Sequence, residues 1–79
     1  MEIEVKLFAT LQQYLPRESG KHFFKLELEE ETKVVDVLNR LNIPQTMPKI
    51  LLVNGKYAQI DCVLRSGDVL SIFPPLGGG

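Results

Sequence analysis

Only one stretch of this 79-residue chain repeats apolar residues at the spacing of a helix long enough to cover a sheet. Val34, Val37, Leu38 and Leu41 fall at i, i+3, i+4 and i+7. Thr32 stands where an N-cap hydroxyl would, behind the acidic run Glu29 to Glu31, and Asn42 and Pro44 end the pattern. The β-branched valines are mediocre helix formers, so packing against other elements has to supply most of the helix's stability. With a single main helix, the chain is predicted to be a two-layer α+β domain whose sheet has one face covered and one face open to solvent or a partner.

The sheet is legible as alternation. Ile3, Val5 and Leu7 are separated by Glu4 and Lys6, and Phe24, Leu26 and Leu28 by Lys25 and Glu27, which marks Met1 to Phe8 and Phe23 to Leu28 as half-buried strands. Leu11, Tyr14 and Leu15 recur at helical spacing between them, in a segment that Pro16 limits to a turn or two, and Arg17 to Gly20 reads as a loop. Further on, Ile50 to Val53 and Lys56 to Ile60 read as strands around Asn54-Gly55, the strongest two-residue hairpin signal in the chain. Ser66-Gly67-Asp68 is a turn before a last strand, Val69 to Phe73. The order β, short helix, β, α, β, β, β is satisfied by a β-grasp (ubiquitin-like) fold, a mixed sheet packed against one main helix. Its first two strands would form a hairpin, and its first and last strands would lie parallel at the centre.

At this length folding buries only about 60% of the surface of the unfolded chain, so a small-molecule pocket would have to be carved from a core that can hardly spare it. Chemistry is expected at an edge or a terminus. Nine basic and ten acidic residues are interspersed with a net charge of −1, which offers no basic stripe for nucleic acid. Cys62 is the only cysteine, which excludes an internal disulfide and a multi-cysteine zinc site and fits a reducing, cytoplasmic setting. Its only histidine partner would be His22, forty positions earlier at the start of another strand, so both are expected to be structural. No signal peptide or membrane-length apolar run is present in the sequence, and no membrane association is expected.

The last strand runs into Pro74-Pro75-Leu76-Gly77-Gly78-Gly79, which divides the chain into a domain at 1–73 and an expected flexible C-terminal tail at 74–79. The prolines cannot donate to a sheet and favour an extended exit, and a glycine thread can enter a channel too narrow for side chains. Fully extended, such a tail reaches roughly 20 Å, enough to carry the Gly79 carboxylate into another protein. Strand parity adds a surface to this. If Ile3, Val5 and Leu7 point at the helix, Phe8 points away; if Leu70 and Ile72 point inward, Phe73 points outward. Phe8 and Phe73 are therefore expected together on the open face at the root of the tail, with Leu52 as a further member of a docking patch.

The opening Ile3-Glu4-Val5-Lys6-Leu7-Phe8-Ala9, the helix from Thr32 to Leu41, the Val53-Asn54-Gly55 turn and above all Gly67 to Pro75 ahead of the glycines carry a resemblance that spans essentially the whole chain. In these residues the sequence resembles the MoaD/ThiS family of ubiquitin-like sulfur carriers. Leu7-Phe8-Ala9 and Phe73-Pro74-Pro75 look more like its molybdopterin synthase small-subunit branch than its thiamin branch. The resemblance implies that a separate E1-like adenylyltransferase uses ATP to adenylate Gly79, and that sulfur then replaces AMP to give a thiocarboxylate. That group would enter the large subunit of molybdopterin synthase and pass sulfur to a pterin precursor. The residues expected to meet partners are Phe8, Leu52 and Phe73, from strand parity, and Pro74, Pro75, Leu76, Gly77 and Gly78 of the tail; the resemblance implies that Gly79 is the reacting residue and that the chain supplies no metal, and no bound cofactor is expected. Position 77 is glycine where family members often carry another residue. Carriers for thiamin, tRNA thiolation or cysteine synthesis, and ubiquitin-like protein modifiers, end similarly, so the acceptor stays open. A plain interaction domain with an inert tail is the third reading.

Overall fold

Alternation in the first strand becomes a buried face and an open face. β1 (Glu2–Leu7) places Ile3, Val5 and Leu7 in the core at no more than 1% exposure, while Glu2, Glu4 and Lys6 line the opposite side. A computed structural model describes residues 1–16 and 22–75. Its elements run β1, a 3-10 helix over Ala9–Tyr14, β2 (Phe23–Glu27), α1 (Val34–Arg40), β3 (Ile50–Val53), β4 (Lys56–Tyr57) and β5 (Val69–Phe73). The five strands form one mixed sheet in the order β2-β1-β5-β3-β4. β1 and β2 are an antiparallel hairpin pair, and β1 and β5 lie parallel at the centre with Val5 beside Leu70 and Leu7 beside Ile72. This is the β-grasp arrangement that the order of elements implied.

Val34, Val37 and Leu38 of α1 are fully buried against the inward residues of the sheet, with Leu11, Ile43, Leu51 and Leu64 completing the core. Among the described residues no polar or charged side chain is buried. The helix ends as its sequence implied. Asn42 adopts a left-handed φ of 65°, its N–H donates to Asn39 O, and Ile43 N–H donates to Leu38 O, so two otherwise orphaned carbonyls are satisfied before Pro44.

Two expectations are corrected. The helix begins after Lys33, not at a Thr32 cap. The Thr32 hydroxyl donates to Glu29 O, Lys33 is held extended by a bridge to Val63, and its N–H donates to the Asp36 carboxylate at 3.0 Å. β4 stops at Tyr57 instead of running to Ile60, because the next residues serve the helix. Ile60 O and Cys62 O accept the N–H groups of Val35 and Val34, two of the donors that a helix start leaves without partners. The short helix expected after β1 is present and is of the 3-10 kind: Leu11 N–H bonds Phe8 O and Leu15 N–H bonds Gln12 O, three residues back in each case.

Candidate functional site

The open face of the sheet has two halves of different chemistry. On β1 and β2 it is charged, with acidic Glu2, Glu4 and Glu27 and basic Lys6 and Lys25, Lys6 Nζ lying 3.7 Å from Glu4 and Lys25 Nζ 4.0 Å from Glu2. Such half-exposed pairs contribute little to stability. On β5, β3 and β4 it is apolar and aromatic. Register explains why: Ile50 lies opposite Phe73, Leu52 opposite both Ser71 and Tyr57, so Phe73, Ile50, Leu52 and Tyr57 share one face.

Phe8 joins that face across the parallel seam. Its N–H donates to Ile72 O at 3.2 Å, which carries the β1–β5 alignment one residue past β1, and the chain then turns away through Ala9 at φ 52°. The Phe8 and Phe73 rings stack with centroids 4.2 Å apart and planes within 5°. His22 lies 5.6 Å from Phe8, and Phe23 meets His22 edge-on, so an aromatic row extends to the β2 edge. Phe73, Ile50, Leu52 and Tyr57 also enclose a shallow apolar hollow of 260 Å³.

The two phenylalanines placed together by strand parity are thus brought together, with Leu52 on the same face but with Ile50, not Leu52, as the direct cross-strand neighbour of Phe73. Ile50 and Tyr57 belong to the surface and were missed. A two-residue Asn-Gly turn pairs the residues flanking it and then the next pair out, Leu52 with Tyr57, so the signal was present in the hairpin itself. Tyr57 is 84% exposed, a large aromatic residue held in water by its strand. Pro74 is half-buried and Pro75 exposed where the chain leaves β5. Leu76, Gly77, Gly78 and the reacting residue expected at Gly79 lie outside the described residues.

Elsewhere Cys62 is half-buried in the β4–β5 connection, packs on the core, and its thiol faces Val63 O at 3.7 Å. Among the described residues Lys49 is the one group with a resolved shift. Burial lowers its pKa from the usual lysine range, while its ammonium donates to the carbonyls of Pro44, Gln45 and Met47 and ties down the loop before β3. Among the described residues no cluster of three or more His, Cys, Asp or Glu is placed to hold a metal ion, and no helix is long and apolar enough to cross a membrane.

Among solved structures, the chain is similar to the Haloferax volcanii protein HVO 2177, with 26% identity, all of this chain and 87% of that one covered, and a TM-score of 0.79. It is also similar to the Pyrococcus furiosus protein described as molybdopterin converting factor, subunit 1, at 26% identity over 95% of this chain and 98% of that one, with a TM-score of 0.73. A third is the small archaeal modifier protein 1 of Methanosarcina acetivorans, at 25% identity over 99% and 96% of the two chains, with a TM-score of 0.72. No curated protein matches the sequence. The resemblance read along essentially the whole sequence is therefore met by ubiquitin-like relatives of both the molybdopterin and the modifier kind. The Mut7-C ubiquitin family matches residues 1–76, the whole of the β-grasp domain and the exit that follows it, and the chain belongs to that family.

Proposed function

We propose that this domain is a sulfur carrier working in the cytoplasm, with Gly79 as the acyl group that is activated and the aromatic face as the surface its partners hold. The Gly79 carboxylate attacks the α-phosphorus of ATP in an E1-like enzyme and pyrophosphate leaves. Sulfide displaces AMP, and the thiocarboxylate formed donates its sulfur. The observation that carries this reading is the position of Phe73. It ends the central strand, stacks on Phe8, and stands immediately before Pro74-Pro75, so a protein that grips this face also aims the tail. Within the sulfur-carrier reading, the small subunit of molybdopterin synthase is the favoured role, with the large subunit of that enzyme as receiving partner. Phe73-Pro74-Pro75 and the likeness to the Pyrococcus furiosus subunit 1 support it.

The likeness to a small archaeal modifier supports a second reading that shares the first step. There a lysine amine of a target protein displaces AMP and the product is an isopeptide.

Incubation of the chain with ATP, sulfide and its cognate activating enzyme is expected to exchange one oxygen for sulfur at Gly79, read by mass spectrometry of the C-terminal peptide. Modification elsewhere, or none with an activating enzyme of verified activity, would remove the carrier reading. Accumulation of higher-mass lysine adducts in place of free thiocarboxylate would select the modifier reading. Cys62→Ser is expected to leave the exchange intact, since sulfur carried on a terminal acyl group needs no thiol of its own. A folded Cys62→Ser chain that no longer accepts sulfur would put that thiol into the chemistry.

A further inference from the structure

Asn54-Gly55 combines a turn the fold needs with a dipeptide that is chemically self-reactive. In a flexible chain the Gly55 amide nitrogen can attack Cγ of Asn54, because glycine presents no side chain to hinder the approach. The N–H proton is lost, the new N–C bond closes a five-membered imide, and the carboxamide nitrogen leaves as ammonia. Water then opens the imide at either carbonyl, giving aspartate or an isoaspartyl linkage. No oxidant or cofactor takes part.

The folded turn holds the Asn54 carboxamide away from that reaction. The Asn54 side-chain oxygen accepts the Val69 N–H at 2.8 Å, and its nitrogen donates to Asp68 Oδ1 at 2.9 Å. Asp68 is itself fixed, its other oxygen accepting Arg65 N–H at 2.8 Å. Asn54 N–H donates to Val69 O at 2.9 Å, and both turn residues are left-handed, at φ 52° and 83°. The carboxamide is thus held by β5 and the turn before it, and cannot swing onto its own main chain while the Asn54 turn stays docked on Val69 and Asp68. That docking lies at the end of the β3–β5 ladder, one residue beyond the Val53–Leu70 pair, and the end of a ladder opens without global unfolding.

We propose that Asn54 is a conformationally gated deamidation site, silent while the turn is docked on β5 and irreversibly modified once the turn has been released and has reacted. The product cannot close as before. An aspartate at 54 has no donor for Asp68 and sets two carboxylates at hydrogen-bond distance. An isoaspartyl link adds a backbone atom to a two-residue turn that sets Leu52 opposite Tyr57. Since those two residues line the apolar hollow, a chain that has once opened and reacted is marked by a damaged open face.

The full chain is incubated in native buffer and in concentrated urea at the same pH and temperature, and peptides are mapped by mass with isoaspartate detection. In urea Asn54 is expected to convert faster than Asn39 and Asn42, which precede the bulky Arg40 and Ile43, and in native buffer at least about tenfold more slowly than in urea, in proportion to the open population. Equal rates in the two conditions, or an Asn54 no faster than the other asparagines in urea, would overturn the proposal. Amide exchange at Val69, read on variants, tests the consequence. Asn54→Asp should speed it by about tenfold or more, as loss of a charge-assisted hydrogen bond does. The exchanged pair Asn54→Asp with Asp68→Asn should slow it again, because the donor and the acceptor have only changed places. An Asn54→Asp hairpin as protected as the parent, or a double variant no better than the single one, would show that the Asn54–Asp68 pair is not the lock.

Discussion

Removal of Gly79 is expected to abolish activation and sulfur transfer outright, while the midpoint of urea unfolding stays where it was. Both halves follow from where the core ends. Its last member is Ile72, fully buried beside Leu7, and the residues after Phe73 lie beyond every buried side chain of the described structure. Removing a residue there should change stability by less than about 0.5 kcal/mol. The chemistry has no such tolerance. One residue fewer retracts the carboxylate by about 3.5 Å, and a reaction that depends on bringing atoms to within bonding approach does not survive a displacement of that size. Gly78→Leu separates reach from access, because it keeps the length and the carboxylate but adds a side chain next to the reacting residue. It is expected to reduce transfer by more than about a hundredfold with unfolding unchanged. Transfer that persists in the shortened chain would place the reaction elsewhere, and a cooperative loss of fold would make the tail a structural element.

Elements whose pattern depends on a single burial preference were legible before any coordinates. β1, β2 and β5 alternate cleanly, and their parity was enough to put Phe8 and Phe73 on one face and to predict their contact. The end of α1 was legible too, since Asn42 takes the left-handed position that asparagine tolerates. What failed were decisions made by distant partners. Thr32 is an ordinary cap candidate by its neighbours alone, but the bridge from Lys33 to Val63 fixes the start one residue later, and nothing near Thr32 announces a residue thirty positions on. The same contact between segments ended β4 early, because Ile60 O and Cys62 O are needed at the helix start and cannot also extend a strand. Ile50 and Tyr57 were missed for a different reason: the hairpin register that exposes them was available, but was used for the turn and not carried outward to the face.

Phe73→Ala is expected to weaken binding to the activating enzyme by about 2 kcal/mol or more, roughly thirtyfold in dissociation constant, as truncation of an aromatic anchor does. The ring is half-buried, stacked on Phe8, opposite Ile50, and is one of four residues around the apolar hollow on the open face. Truncation removes the wall of that hollow and the stacking partner together. It also has a cost in the free domain, since a stacked pair is worth about 0.5–1.5 kcal/mol beyond its buried area, and a loss of stability of that order is expected. Ile72→Ala is the comparison that gives this meaning. Ile72 is the adjacent residue on the same strand, wholly inside the core, and its truncation is expected to cost about 2–5 kcal/mol of stability. The two neighbours should therefore separate along different axes, Phe73 chiefly in affinity and Ile72 chiefly in unfolding. Phe8→Ala should resemble Phe73→Ala, and the double variant should lose less affinity than the sum of the two, because each ring holds the other in place. Should Phe73→Ala instead cost 3 kcal/mol or more of stability with binding by the folded fraction unchanged, the ring is part of the core and the open face is not where partners grip this domain.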